Sequence, residues 1–145
     1  MTSTALISCG INTTNPSAKL GIEVWVDDQQ ILNQDHVAEL IEFKYNLPDD
    51  DAEHELRFVM KNKTAEHTTI DEEGQIVTDA CVTVSNLAFD EIELKQIFID
   101  QAVYTHNFNG SQAASQDKFY GEMGCNGIVS LKFTTPIYLW LLEHM

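Results

Sequence analysis

Glu55-Leu56-Arg57-Phe58-Val59-Met60-Lys61 places Leu56, Phe58 and Met60 on one side of an extended chain and Glu55, Arg57 and Lys61 on the other, with Val59 the exception. A strand turns successive side chains to opposite faces, so this order describes one dry face and one wet face. The pattern returns downstream. Beyond the turn Asp71-Glu72-Glu73-Gly74, Ala80, Val82 and Val84 alternate with Cys81, Thr83 and Ser85. Beyond Phe89-Asp90-Glu91, Ile92 and Leu94 alternate with Glu93 and Lys95 and lead into Ile97-Phe98-Ile99, read as more of the same extended pattern. Half-buried antiparallel strands need a second apolar layer to cover them. The expected fold is therefore all-β, an antiparallel β-sandwich in one domain spanning 1–145.

Toward the N-terminus, Leu20, Ile22, Val24 and Val26 alternate with Gly21, Glu23 and Trp25. Asp27-Asp28-Gln29-Gln30 then turns the chain back into Ile31-Leu32, a hairpin reading without the usual turn glycine. Residues 41–46 read as a strand that ends in the Pro48-Asp49-Asp50-Asp51 turn. Residues 1–19 form a polar, partly irregular arm, with an edge strand at Ala5 to Ser8. Toward the C-terminus, 103–106 and 128–133 read as strands, while 111–118 show no period. Gly121, Gly124 and Gly127 fall within seven residues, which suggests positive φ or close approach of chains. The segment 135–145 has the start of a helix in Thr135-Pro136, with the hydroxyl as N-cap, and a strand is the competing reading. Its apolar run, Ile137, Tyr138, Leu139, Trp140, Leu141 and Leu142, would cost about 9 kcal/mol if fully exposed, at about 1.5 kcal/mol per side chain. Those six side chains are expected to pack into the domain's own core or to dock on a partner.

With 8 Lys and Arg against 23 Asp and Glu, the formal net charge is −15. Such a surface repels phosphate backbones and anionic lipid, so neither a nucleic-acid partner nor membrane insertion is expected. Cys9, Cys81 and Cys125 stand at unrelated spacings, and neither a disulfide framework nor a zinc site is expected from them. The first residues lack the basic and apolar regions of a secretion signal, and synthesis in the cytoplasm without export is the expectation.

The catalytic inventory is short. His36, His54, His67, His106 and His144 follow no ligand spacing, and no nucleophile elbow or phosphate loop occurs. No enzymatic activity is expected. Two binding chemistries remain. Asp71, Glu73 and Asp79 flank one turn and are the candidate calcium ligands, with a solvated acidic loop as the alternative; no other cofactor is expected. Trp25, on the polar side of its strand, and Tyr120, beside a glycine turn, are rings on which a sugar could stack. Asn107, Asn109 and Asn126 could bond its hydroxyls.

His54 to Thr64, followed by Ala80-Cys81-Val82-Thr83-Val84 and Ile92-Glu93-Leu94, resembles the small jelly-roll modules of tailed bacteriophage virions. It is similar also to the calcium-dependent carbohydrate-binding modules of xylan-degrading enzymes. Gly124-Cys125-Asn126-Gly127 through Trp140-Leu141-Leu142 resembles the ends of short virion proteins of contractile-tailed cyanophages. The resemblance implies a jelly-roll-like sandwich. The carbohydrate-binding family places an Asn-Asp pair where this chain has Asn62-Lys63, so the fold is carried over and the site is not. Two functions follow as expectations. The first is a structural virion component, in tail, baseplate or head, docking on other virion proteins or on copies of itself through 137–142. The second is a module that binds host polysaccharide, with calcium as a possible cofactor.

Overall fold

The computed structural model describes residues 4–15, 18–48, 50–62, 68–70, 72–73, 76–106, 115–124 and 126–144, with the side chains of 68–70 and 76–79 excepted. Two antiparallel sheets enclose one apolar core. The six-stranded sheet has the order β11 (Ser115–Lys118), β10 (Val103–His106), β13 (Gly127–Thr134), β5 (Glu53–Lys61), β2 (Gly21–Val26) and β3 (Gln29–Gln34). The facing sheet runs β12 (Glu122–Met123), β8 (Val82–Phe89), β1 (Thr4–Thr13) and β4 (Ile41–Pro48), with β9 (Ile92–Glu93) also paired to β8. A separate hairpin joins β6 (Thr68–Ile70) to β7 (Ile76–Asp79), and the remainder of the long polar connection lies outside the described residues.

The two-residue period does the work it implies. Leu56, Phe58 and Met60 of β5, Ile22, Val24 and Val26 of β2, and Val129, Leu131 and Phe133 of β13 are all buried between the layers. The β2–β3 turn forms without glycine because Asp27 itself takes φ 55°, a left-handed conformation that aspartate tolerates better than most residues. Two of the clustered glycines match the two roles expected of them. Gly121 has φ +102°, and a Cβ on Gly127 would run into the Thr105 carbonyl of the neighbouring strand.

Four readings change. The N-terminal arm is no edge: β1 is central, flanked by β4 and β8, with Ile7 opposite both Tyr45 and Phe89. Its inward residues Ala5, Ile7, Cys9 and Ile11 include small ones, so the apolar period was thin in the sequence. Ile97-Phe98-Ile99 lies in a helix, α1 (Gln96–Gln101). Lys95 at φ 50° breaks the extended chain, and Phe98 is buried against Phe58 and Phe119, so packing overrides the β-branched preference. Residues 115–118 are a strand, paired through the backbone to β10, with polar side chains suited to an edge. The C-terminal segment is helical, α2 (Ile137–His144), but Thr135 does not cap it: its hydroxyl bonds to Asp50 and Ala52.

Helix α2 closes one end of the sandwich. Ile137, Trp140 and Leu141 are buried, and the Trp140 ring packs against Phe89 and Phe133 at centroid distances of 5.8 and 6.2 Å. Those three side chains are therefore core and not docking groups. Tyr138, Leu139 and Leu142 are 54%, 57% and 67% exposed.

Candidate functional site

The outer face of the six-stranded sheet gathers its chemistry in a row across the strands. Trp25 lies opposite Arg57, Arg57 opposite Ser130, Ser130 opposite Val103, and Val103 opposite Lys118. The Arg57 guanidinium carbon lies 5.6 Å from the Trp25 ring centroid, a cation–π contact. The ring is also held by its edge, since Nε1 donates to Glu23 Oε1 at 3.0 Å, and Gln30 Nε2 donates to the same oxygen at 2.7 Å. Burial works to raise the Glu23 carboxyl, but hydrogen bonds from Trp25, Lys61 and Gln30 and the Lys61 charge outweigh it and hold the group below its ordinary range.

Beside this row, a groove of about 480 Å³ is lined by Gln101, Val103, Thr105, Gln116 and Ser130, with Glu55 and Lys132. Ser130 Oγ donates to Glu55 Oε2 at 2.5 Å, and Arg57 Nε stands 3.6 Å from Glu55 Oε1. Two amides, two hydroxyls, a carboxylate and an ammonium supply donors and acceptors together around the exposed apolar surface of Val103. A polyhydroxylated ligand requires that mixture, because each sugar hydroxyl both donates and accepts.

A second hollow of about 230 Å³, lined by Asp27, Glu53, His54, Glu55 and Lys132, adjoins the groove through the last two residues. The buried His54 ring holds its rim together. Nδ1 lies 2.8 Å from Asp27 Oδ2 and Nε2 lies 2.8 Å from Asp50 Oδ1. Asp27 Oδ1 accepts the Glu55 N–H at 2.9 Å, and Asp50 Oδ1 accepts the Thr135 hydroxyl at 3.1 Å. Two carboxylates on opposite ring nitrogens call for the doubly protonated imidazolium. Burial acts to lower the His54 pKa, but the bonds to Asp27 and Asp50 and their charges prevail and raise it. The bond from His54 in turn holds the Asp50 carboxyl below its ordinary range, with Thr135 and the imidazolium charge adding to it.

The residues singled out from the sequence do not converge. Trp25 belongs to this face. Tyr120, 73% exposed, lies at the edge of the other sheet and lines a separate cleft of about 220 Å³ with Asn86, Glu93, Lys95 and Phe98. Asn126 precedes β13, and Asn107 and Asn109 lie outside the described residues. Glu73 sits exposed in the β6–β7 turn, Asp71 lies outside the described residues, and Asp79 is described only as backbone paired with Thr68. Among the described residues no three His, Cys, Asp or Glu side chains converge on a metal position, and Asp27 and Asp50 are both committed to His54. The six to eight oxygens that calcium takes are not assembled there. Sequence reasoning missed Glu55, Arg57, Ser130, Gln116 and Lys132. Their outward parity was legible for β5 and β13, but the register that makes Glu55 and Ser130 neighbours, 75 residues apart, was not.

No protein-family model matches the sequence, and no curated protein matches it either. Among solved structures, the chain is similar to the selenomethionine form of vCBM60, from a study of two families of calcium-dependent carbohydrate binding modules, with a TM-score of 0.55 and 12% identity over 88% of this chain and 89% of that one. The complex of vCBM60 with galactobiose aligns with a TM-score of 0.49 and 14% identity over 87% and 96% of the two chains. At such identities the likeness is one of fold, an antiparallel β-sandwich, and nothing in it points to a bacteriophage particle.

Proposed function

We propose that this protein is a non-catalytic carbohydrate-binding module that holds a polysaccharide chain across the outer face of its six-stranded sheet. The observation that carries this reading is the 480 Å³ groove of amide, hydroxyl, carboxylate and ammonium groups beside the Trp25–Arg57 pair. Trp25 supplies the stacking surface, and Gln101, Gln116, Thr105, Ser130 and Glu55 supply hydrogen bonds to sugar hydroxyls. The shared fold with a carbohydrate-binding module agrees with it. Among the described residues, Cys9 is buried with its thiol pushed up to about 12 by desolvation, and both nitrogens of His54 are engaged by carboxylates.

The test is retardation of the protein in gels containing plant, algal and bacterial polysaccharides, followed by calorimetry on those that retard it, with and without chelator. Binding lost on Trp25→Ala or Gln116→Ala supports the reading. Absence of retardation by every polysaccharide overturns it.

A further inference from the structure

The chain is poor in cations, yet half of them share one surface. Of its eight Lys and Arg residues, Arg57, Lys61, Lys118 and Lys132 project from the outer face of the six-stranded sheet, against the three carboxylates Glu23, Glu53 and Glu55 on the same strands. Three of the four are committed. Lys61 lies 3.3 Å from Glu23 and 2.9 Å from Asp35, Arg57 faces Glu55 and donates to the Asp27 carbonyl, and Lys118 lies 3.9 Å from Asp100.

Lys132 differs. Its cross-strand neighbour is Glu55, but that carboxylate accepts Ser130 on one oxygen and faces Arg57 with the other. Among the described residues no carboxylate lies within 4.0 Å of the Lys132 ammonium. The same side chain lines both the groove and the adjoining hollow, so it stands where any chain crossing from one to the other must pass. A neutral glycan laid there would give the cation only hydroxyl oxygens in place of water, with no opposite charge to offset its desolvation. An anionic substituent would pair with it through a charge-assisted hydrogen bond. Of the carboxylates lining the hollow, Asp27 is bonded to His54 and Glu55 to Ser130 and Arg57, which leaves Glu53 to oppose an anion there, while at 0.15 M salt charges beyond about 8 Å are largely screened.

We infer that the site selects glycans bearing an anionic substituent, a uronate carboxylate or a sulfate ester, and that Lys132 is the specificity-determining residue. The inference rests on the carbohydrate reading above. Its test is calorimetry at 0.15 M salt with polygalacturonate and its carboxyl-reduced form, and with a sulfated galactan and its desulfated form, for the native protein, Lys132→Gln and Lys132→Arg. The expected result is about tenfold tighter binding of one anionic polymer than of its neutral counterpart, a preference erased in Lys132→Gln and kept in Lys132→Arg. Whichever pair shows it identifies the substituent. Equal binding of both members of each pair, or a preference that survives Lys132→Gln, overturns the inference and leaves the carbohydrate reading standing. Binding of none of the four polymers, nor of any neutral glycan, overturns both.

Discussion

His54 Nε2 lies 2.8 Å from Asp50 Oδ1, and Asp50 in turn accepts the Thr135 hydroxyl, so one imidazolium ties the β4–β5 connection to the approach of α2 while its other nitrogen holds the β2–β3 turn. The pair sets a pH window. The folded-state pKa of His54 is raised, so its contribution is fully present below the unfolded value of about 6.5 and is lost as pH climbs through the higher folded value. Asp50 is depressed, so its contribution is present above the unfolded value of about 3.9 and is lost as pH falls through the lower folded value. Thermal unfolding of the native protein and of His54→Gln across pH 3–9 should diverge most between about pH 4 and 6.5 and converge above the folded His54 value. His54→Ala should cost about 1–2 kcal/mol in that window by urea denaturation, since it leaves Asp27 and Asp50 without their shared donor. Parallel curves for native protein and variant at every pH would remove the clamp.

Trp25 is held at its ring edge by Glu23 and faces the Arg57 guanidinium, yet it stays partly exposed on a sheet surface whose core side is complete without it. Replacing it should therefore separate binding from folding. Trp25→Ala is expected to lower polysaccharide affinity by a factor of about ten, the loss of a stacking ring, while changing the free energy of unfolding by less than about 1 kcal/mol. Calorimetry and urea denaturation on the same preparation check both halves. A large loss of stability with unchanged binding would return Trp25 to a structural role.

Helix α2 divides its six apolar side chains into two sets, and mutation should show the division. Trp140→Ala removes a ring wedged between Phe89 and Phe133 and is expected to cost about 3–5 kcal/mol. Leu142→Ser touches a side chain 67% exposed and should change stability by less than about 0.5 kcal/mol. Denaturation midpoints decide it, and a comparable loss in both variants would mean that Leu142 is covered by something other than solvent.

What could be read in advance followed from period. Leu56, Phe58 and Met60 had to share a face whatever their partners were, and the hairpin through Asp27 followed from the alternation before it and the polar turn that leads into Ile31-Leu32. Pairing between distant strands had no such local signal. Nothing near Glu55 announces that Ser130 will lie across from Arg57, so the groove could not be drawn although its residues were visibly outward. Phe98 failed for the opposite reason: its neighbours alternate, but one left-handed Lys95 and two aromatic contacts were enough to coil the segment. Trp25 and Tyr120 looked alike as rings beside polar residues, but Trp25 stands within β2 while Tyr120 falls in the connection from β11 to β12, where the chain leaves the six-stranded sheet for the other.

Gly127 opens β13 where that strand passes His106 of β10, and a Cβ there would collide with the Thr105 carbonyl, a backbone atom that cannot swing aside as a side chain can. Thr105 also lines the groove, so strain at Gly127 is transmitted to the proposed ligand face. Gly127→Ala should cost about 1–3 kcal/mol, the usual range for forced overpacking, and should weaken polysaccharide binding in proportion to the displacement of β10. Gly10→Ala, in the facing sheet, serves as the comparison because the nearest atoms there, Ser85 Oγ at 3.0 Å and Leu40 Cδ1 at 3.3 Å, belong to side chains that can swing aside. Equal stability and equal affinity for the two variants in denaturation and calorimetry would show that β10 and β13 can part slightly without disturbing the groove.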